Sequence, residues 1–182
     1  MNTLIARCIR LAPAIPASWY AIPLRLIIGL GFIHHGYAKL ARGPESFVNI
    51  LSALGMFDPV LLAWATIIIE LAGGLAVIAG LFIPLASVPM IVVLLVAIFT
   101  VHLPNGFSSI KLQSVTAAGA QFGQPGYETD LLYLAGILAL VLGGSGPLAL
   151  DRISSARVRE VAKASTWACL RSWKPGVRNE GA

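Results

Sequence analysis

The sequence is poor in charged residues. Asp, Glu, Lys and Arg make up 12% of its 182 residues, whereas an ordinary soluble domain contains about 25%. Apolar residues make up 57% of the chain, and a soluble fold of this size has too small an interior to bury that much apolar surface. The composition therefore excludes an ordinary soluble domain and predicts an integral membrane protein.

Cysteine is also scarce, since the chain contains only Cys8 and Cys169. They lie in the two terminal regions, which the charge distribution described below places in the reducing cytosol, so we predict no structural disulfide. Four-helix membrane proteins that relay dithiols to quinone need cysteine pairs on the outer side of the membrane. This chain has no such pair.

Several motifs that carry chemistry are missing from the sequence. It contains no CxxC, HExxH or His-x3-His spacing and no glycine-rich nucleotide loop, so we predict no metal site and no intrinsic cofactor. The net charge of +5 is not accompanied by a stripe of basic and aromatic residues. We therefore expect no nucleic-acid partner.

Four apolar blocks predict four membrane-spanning helices, because a hydrocarbon core needs about 20 residues per helix. Asp58-Pro59 is typical of a helix start, and Pro84 predicts a tight hairpin between spans two and three. A long polar stretch, 103–126, separates spans three and four and is expected to be functional or to fold back as a cap. The predicted fold is an all-α four-helix transmembrane bundle, with spans at about 19–40, 58–82, 84–102 and 128–142.

Basic residues predict how these spans are oriented. An even number of spans puts both tails on one side, and the tails hold most of the Lys and Arg residues. We therefore predict a multi-pass protein of the inner (cytoplasmic) membrane with both termini cytoplasmic and the lipid bilayer as its partner. The predicted domains are a basic, uncleaved interfacial segment (1–18), the four-span domain (19–150) and a basic cytoplasmic tail (151–182).

Small residues recur at four-residue spacing in two spans, and such stripes let membrane helices pack closely. The two stripes are Ala72, Ala76 and Gly80 in the second span and Ala135, Ala139 and Gly143 in the fourth. We expect them to mark helix contacts rather than a cofactor site.

Glu70 is the most informative polar residue, because it lies near the middle of its span and cannot reach water. If the ends of antiparallel spans one and two are matched, Glu70 lies level with Leu30, within reach of Arg25 or His35. The sequence predicts an Arg25–Glu70 pair. Such a pair either fixes helix register only or takes part in chemistry.

A second group of polar residues is predicted to meet at the outer ends of three helices. Its members are His35, Lys39, His102, Glu128 and Asp130. They are either interfacial residues hydrogen-bonded to the long loop, or a site that passes protons to a quinone.

The sequence resembles the DoxX family of small bacterial membrane proteins over about residues 22–152. The resemblance is carried by Leu24-Arg25-Leu26, Gly29, Phe32, His35-Gly36, Lys39-Leu40, Glu70-Leu71, Gly73-Gly74, Gly80-Leu81, Ala97, His102, Gly126-Tyr127-Glu128, Gly144-Ser145-Gly146-Pro147 and Leu150-Asp151. It implies a four-helix membrane bundle and an association with thiosulfate:quinone oxidation or with membrane-bound oxidoreductase assemblies that detoxify thiols and radicals. Because many members have no assigned activity, it implies a fold more strongly than a reaction.

The leading hypothesis is a membrane subunit or anchor of a quinone-linked oxidoreductase assembly, with an oxidoreductase subunit, or a second copy of the chain, as its partner. The predicted catalytic residues are Glu70, His35 and Arg25, and the predicted quinone-binding residues are Phe32, His35, Lys39, His102 and Glu128. The alternatives are a small proton-coupled transporter that titrates Glu70, and a structural or cargo-binding scaffold whose buried charges only fix packing.

Overall fold

A computed structural model of the protein describes residues 17–152. The predicted N-terminal segment up to residue 16, the basic tail from residue 153, and both cysteines lie outside the described residues. Four long helices form what we call the helical body: α1 (Ala21–Ala41), α3 (Pro59–Ala79), α4 (Ile83–Ala97) and α5 (Glu128–Gly143). The shorter elements are a 3-10 turn before α1 (Ala17–Tyr20), helix α2 (Pro44–Ala53), and a π-helical turn (Ile98–His102) and a 3-10 turn (Leu103–Asn105) that extend α4.

The start of α3 follows the predicted signal. The Asp58 carboxylate accepts a hydrogen bond from the Leu61 backbone N–H at 3.2 Å, and Pro59 occupies the first helical position. The helix ends three residues earlier than predicted, because Gly80 adopts a left-handed conformation (φ 67°) that terminates it. Since α4 begins at Ile83, the predicted tight hairpin is confirmed.

The helical body is arranged around one apolar core. Helix α1 packs against α3 and α5, and α4 packs against the same two helices. The buried core side chains are Ala21, Ile28 and Phe32 of α1, Val77 of α3, Ile83, Met90 and Leu94 of α4, and Ile137 and Leu140 of α5.

Glycines bring α1 and α3 into direct backbone contact. A Cβ atom added to Gly29 would lie 2.6 Å from the Gly74 carbonyl oxygen, and one added to Gly74 would lie 2.7 Å from the Gly29 carbonyl oxygen. The predicted stripes are offset from these contacts, since Ala72 and Ala135 are exposed. The register of the two helices is therefore set by the Gly29–Gly74 crossing.

Helix α2 was not predicted. Pro44 lies in its first turn, and its buried residue Leu51 packs toward the helical body beside α1 and α3. Ile50, about 100° around the helix from Leu51, is exposed. This amphipathic pattern is typical of a helix lying at a membrane surface.

The expectation of an all-α fold was wrong in one respect, because the long loop contains a two-stranded antiparallel sheet. Strand β1 (Leu112–Thr116) pairs with β2 (Gly119–Phe122), and both strands are exposed along their whole length. The loop folds back at its base, where the Gly126, Tyr127 and Glu128 N–H groups donate to the carbonyls of residues 106–108. Such a short exposed hairpin has no apolar periodicity that a sequence pattern would detect.

Two helices are long and apolar enough to cross a membrane, namely Pro59–Ala79 and the extended helix Ile83–Asn105. Within the described residues, α1 and α5 fall short of that criterion. Helix α1 contains charged residues and two histidines, and the 16 residues of α5 span only about 24 Å at about 1.5 Å per residue.

Candidate functional site

A cavity of about 320 Å³ lies inside one end of the helical body. We call this the loop end, because the segments 42–58 and 103–127 connect the helices there; the opposite end, with 17–20, 80–82 and 144–152, is the tail end. All four long helices contribute to the cavity wall. The lining residues are Phe32, His35, Lys39, Glu70, Val93, Leu94, Ala97, His102, Pro125, Gly126, Thr129, Asp130 and Tyr133.

Lys39 and Glu70 form an ion pair in the cavity wall. The ammonium nitrogen of Lys39 lies 2.6 Å from both carboxylate oxygens of Glu70. The Glu70 side chain is only 7% exposed, whereas that of Lys39 is 22% exposed. The pair therefore satisfies a carboxylate that could not otherwise remain charged in an apolar interior.

His102 makes one hydrogen bond and one longer electrostatic contact. Its Nδ1 atom lies 3.1 Å from the Pro125 carbonyl oxygen, and its Nε2 atom lies 3.9 Å from Oδ2 of Asp130. A carbonyl can only accept, so Nδ1 carries the proton of this hydrogen bond. Nε2 is then directed toward the Asp130 carboxyl group.

The π-helical turn positions His102. Ala97 and His102 both line the cavity although they are five residues apart. In a regular α-helix that separation would place them about 140° apart around the axis. The Leu103 N–H instead donates to the Ile98 carbonyl, the i→i+5 pattern of a π-helix, which carries His102 round to the Ala97 face.

His35 presents its ring to the cavity beside Phe32. In the part of the chain that the structure describes, its ring nitrogens make no hydrogen bond, and the ring packs at 6.3 Å from that of His34. Both of its nitrogens are thus available to a ligand. His34 is exposed and does not line the cavity.

Much of the remaining lining is apolar and aromatic. Phe32 and Tyr133 meet edge to face with ring centroids 5.7 Å apart, and Val93, Leu94 and Ala97 continue this surface. The site thus combines an apolar wall with a few convergent polar groups, which is the usual composition of a small-molecule pocket.

Arg25 does not belong to this site, and the predicted Arg25–Glu70 pair is wrong. At the tail end, its guanidinium group donates to the carbonyls of Val77 and Ile78 in the last turn of α3. It also donates to carbonyls of the segment after α5, namely those of Ser145, Pro147 and Leu148. The physical reason is register: Gly36 lies against the Glu70 side chain, so Glu70 is level with Gly36 rather than with Leu30.

Glu128 also lies apart from the cavity. Its carboxylate accepts a hydrogen bond from the Ser109 backbone N–H at 3.0 Å and so fixes the base of the long loop. Asp130, one of the polar residues at the helix ends, faces the cavity instead. Of the predicted site residues, Phe32, His35, Lys39, Glu70 and His102 come together, whereas Arg25 and Glu128 do not.

Sequence reasoning missed Tyr133 and the backbone of Pro125 and Gly126 as part of the site. Tyr133 follows Asp130 by three residues on α5, a spacing that places both on one face and that could have revealed it. No sequence pattern indicates that Pro125 would supply a carbonyl to His102, because that contact depends on the folded path of the loop.

Comparisons with known proteins identify a family. A sequence model described as DoxX matches residues 21–103. The protein named "Putative oxidoreductase CatD" of Bacillus subtilis is 33% identical over 70% of this chain and 81% of its own length. An uncharacterised protein of Haemophilus influenzae is also 33% identical, over 70% of this chain and 85% of its own length.

A third relative is more distant. An uncharacterised membrane protein of Mycobacterium tuberculosis is 28% identical over 75% of this chain and 82% of its own length. No solved structure matches. The cavity-lining residues from Phe32 to His102 all fall within the segment that the family model covers.

Proposed function

The chain belongs to the DoxX family, and we propose that it is a membrane subunit of a redox assembly that binds a quinone head group in the loop-end cavity. The observation that carries the proposal is the composition of that cavity. The cavity combines aromatic and aliphatic side chains with His35, Lys39 and His102, which supply hydrogen-bond donors. A quinone needs an apolar slot for its ring and a donor for each carbonyl oxygen.

The proposal includes a four-helix transmembrane bundle in the inner membrane with both termini in the cytosol. The two helices that are long and apolar enough to span supply its centre, and α1 and α5 pack beside them. The polar residues of α1 lower its mean hydropathy, yet Arg25 is buried and Lys39 and Glu70 satisfy each other. A helix whose charges are neutralised inside the protein can face lipid on its remaining sides.

The electron source would be a partner protein, since the sequence has no nucleotide or flavin motif. The name of the Bacillus subtilis relative, "Putative oxidoreductase CatD", supports this assignment. The partner is therefore an oxidoreductase subunit whose reduced cofactor passes electrons to the quinone. The chain's own residues bind and orient the head group and supply protons.

The test is binding of a short-chain quinone analogue to the purified protein, measured by calorimetry. His35→Ala and Lys39→Ala are expected to weaken the affinity about tenfold each, the size of one lost hydrogen bond at about 1.4 kcal/mol. His34→Ala is the matched control, because His34 is adjacent in sequence but outside the cavity. Circular dichroism should show equal helix content in all four proteins.

The other functional classes predict different results. A proton-coupled transporter would move protons across proteoliposomes in a substrate-dependent way, and Glu70→Gln would abolish this movement. A scaffold would show neither proton movement nor quinone binding. Absence of quinone binding, or equal binding by the His34 and His35 variants, would contradict the quinone site.

A further inference from the structure

His102 and Asp130 lie at a distance suited to an ion pair, 3.9 Å between Nε2 and Oδ2. The Pro125 carbonyl fixes the proton on Nδ1, so the Nε2 atom of a neutral imidazole presents a lone pair. That lone pair would face the Asp130 carboxylate at 3.9 Å. Two acceptors facing each other repel, whereas one additional proton on either group turns the contact into an attraction.

The charges around the cavity also favour one resident proton. Lys39 and Glu70 neutralise each other. The other titratable side chains that line the cavity with His102 and Asp130 are His35 of α1 and Tyr133 of α5, and neither is an anion or cation in its neutral form. A deprotonated Asp130 beside a neutral His102 would leave one uncompensated negative charge within the helical body. Such a charge is costly in an apolar environment.

We infer that His102 and Asp130 together hold one proton and exchange it with an oxygen atom of the bound quinone. This inference rests on the proposed function and assigns the proton chemistry of that site. When the quinone takes two electrons from the reduced cofactor of the partner, one O–H bond forms with the proton from Nε2 of His102, whose N–H bond breaks. The second proton comes from water at the loop end, and water also restores the proton of the pair.

In this assignment His102 is the proton donor and Asp130 is a positioning residue that keeps the imidazole charged until transfer. Glu128 provides a matched control on the same helix turn, because its carboxylate is engaged by the Ser109 N–H and does not line the cavity. Asp130→Asn removes the charge while keeping the shape. Asp130→Glu keeps the charge.

The first measurement uses the protein without ligand. Nitrogen NMR of labelled histidine should show His102 with a protonated Nδ1, and Asp130→Asn should shift the Nε2 signal of His102 but not the signals of His34. Glu128→Gln should leave all of these signals unchanged. A His102 signal that is insensitive to Asp130→Asn would overturn the pairing.

The second measurement follows reduction of a bound short-chain quinone by dithionite in stopped flow, with protein in excess over quinone. His102→Ala and Asp130→Asn should slow formation of the hydroquinone about 100-fold, the size of a lost general acid. The dissociation constant of the quinone should change less than about threefold in Asp130→Asn, whose side chain does not contact the quinone, and should rise no more than about tenfold in His102→Ala, the size of one lost hydrogen bond. Asp130→Glu should restore most of the rate, and added imidazole should rescue His102→Ala.

The outcomes separate this inference from the proposed function. If the quinone binds but both variants reduce it at the normal rate, the proton assignment is overturned while the binding site stands. Slow reduction that imidazole does not rescue would indicate a disturbed pocket rather than a lost donor, and would also overturn it. If the unaltered protein binds no quinone, both proposals are overturned.

Discussion

The Lys39 ammonium group contacts both carboxylate oxygens of Glu70 at 2.6 Å and thereby links α1 to α3 in the wall of the cavity. The same ammonium group lies 5.0 Å from the centre of the Phe47 ring, so α2 joins the contact through a cation–π interaction. A single side chain thus ties three helices together at the loop end.

Lys39→Ala is expected to lower the free energy of unfolding by about 3 kcal/mol, because it leaves the Glu70 carboxylate buried without a partner. The double variant Lys39→Met, Glu70→Leu should recover much of this loss, since it removes both charges. Unfolding in mixed detergent micelles measures the difference. Lys111→Ala, in the exposed loop, is the control, and equal stability of the single and double variants would contradict the ion pair's role.

Helix identity and the residues of the cavity were largely predictable from the sequence, because span length, the Asp58-Pro59 start and intramembrane polar residues are local signals. The partner of Glu70 was not. Matching the ends of the spans placed Glu70 level with Leu30, whereas the observed contact between Gly36 and the Glu70 side chain places it level with Gly36. That shift of six residues is about 9 Å along a helix, enough to exchange Arg25 for Lys39 as the partner.

Two further features lay beyond sequence reasoning for different reasons. The π-helical turn that directs His102 into the cavity leaves no trace in a 3.6-residue pattern, because it depends on one shifted hydrogen bond. The Glu128 and Asp130 carboxylates have equivalent chemistry and differ only by helical phase. The sequence could not show which of the two carboxylates faces the cavity, because that depends on where the loop lies.

Arg25 is predicted to be structural rather than part of quinone binding. Arg25→Lys should destabilise the protein nearly as much as Arg25→Leu. A single ammonium group cannot replace a guanidinium group that donates to carbonyls of both α3 and the segment after α5. The folded fraction of each Arg25 variant should bind quinone with the affinity of the unaltered protein. A double-mutant cycle with Glu70→Ala should be additive within about 0.5 kcal/mol, because distant sites do not couple; strong coupling would contradict the observed separation.

Gly80 is predicted to tolerate no side chain. In Gly80→Ala, the alanine would have to adopt the left-handed backbone conformation of Gly80. Its Cβ atom would also lie 2.7 Å from Cβ of Ala149 and 2.8 Å from Cζ of Arg25. Gly55 has almost the same dihedral angle (φ 68° against 67°) but nothing within 4 Å, so Gly55→Ala isolates the conformational cost of about 1 kcal/mol. We expect Gly80→Ala to lower the melting temperature clearly more than Gly55→Ala. Equal shifts would show that the Arg25 contact does not depend on this close approach.

The orientation of the protein is predicted from its charge. The tails contain nine of the thirteen Lys and Arg residues, whereas the two long loops contain only Arg42 and Lys111. Basic segments are retained in the cytosol, so a reporter fused after Arg152 should be cytosolic. A reporter inserted between β1 and β2, where the exposed turn can accept an insertion, should be exported together with the loop end. Two cytosolic reporters would contradict membrane crossing by α5, while exchanged locations would turn the cavity, with His102 and Asp130, toward the cytosol.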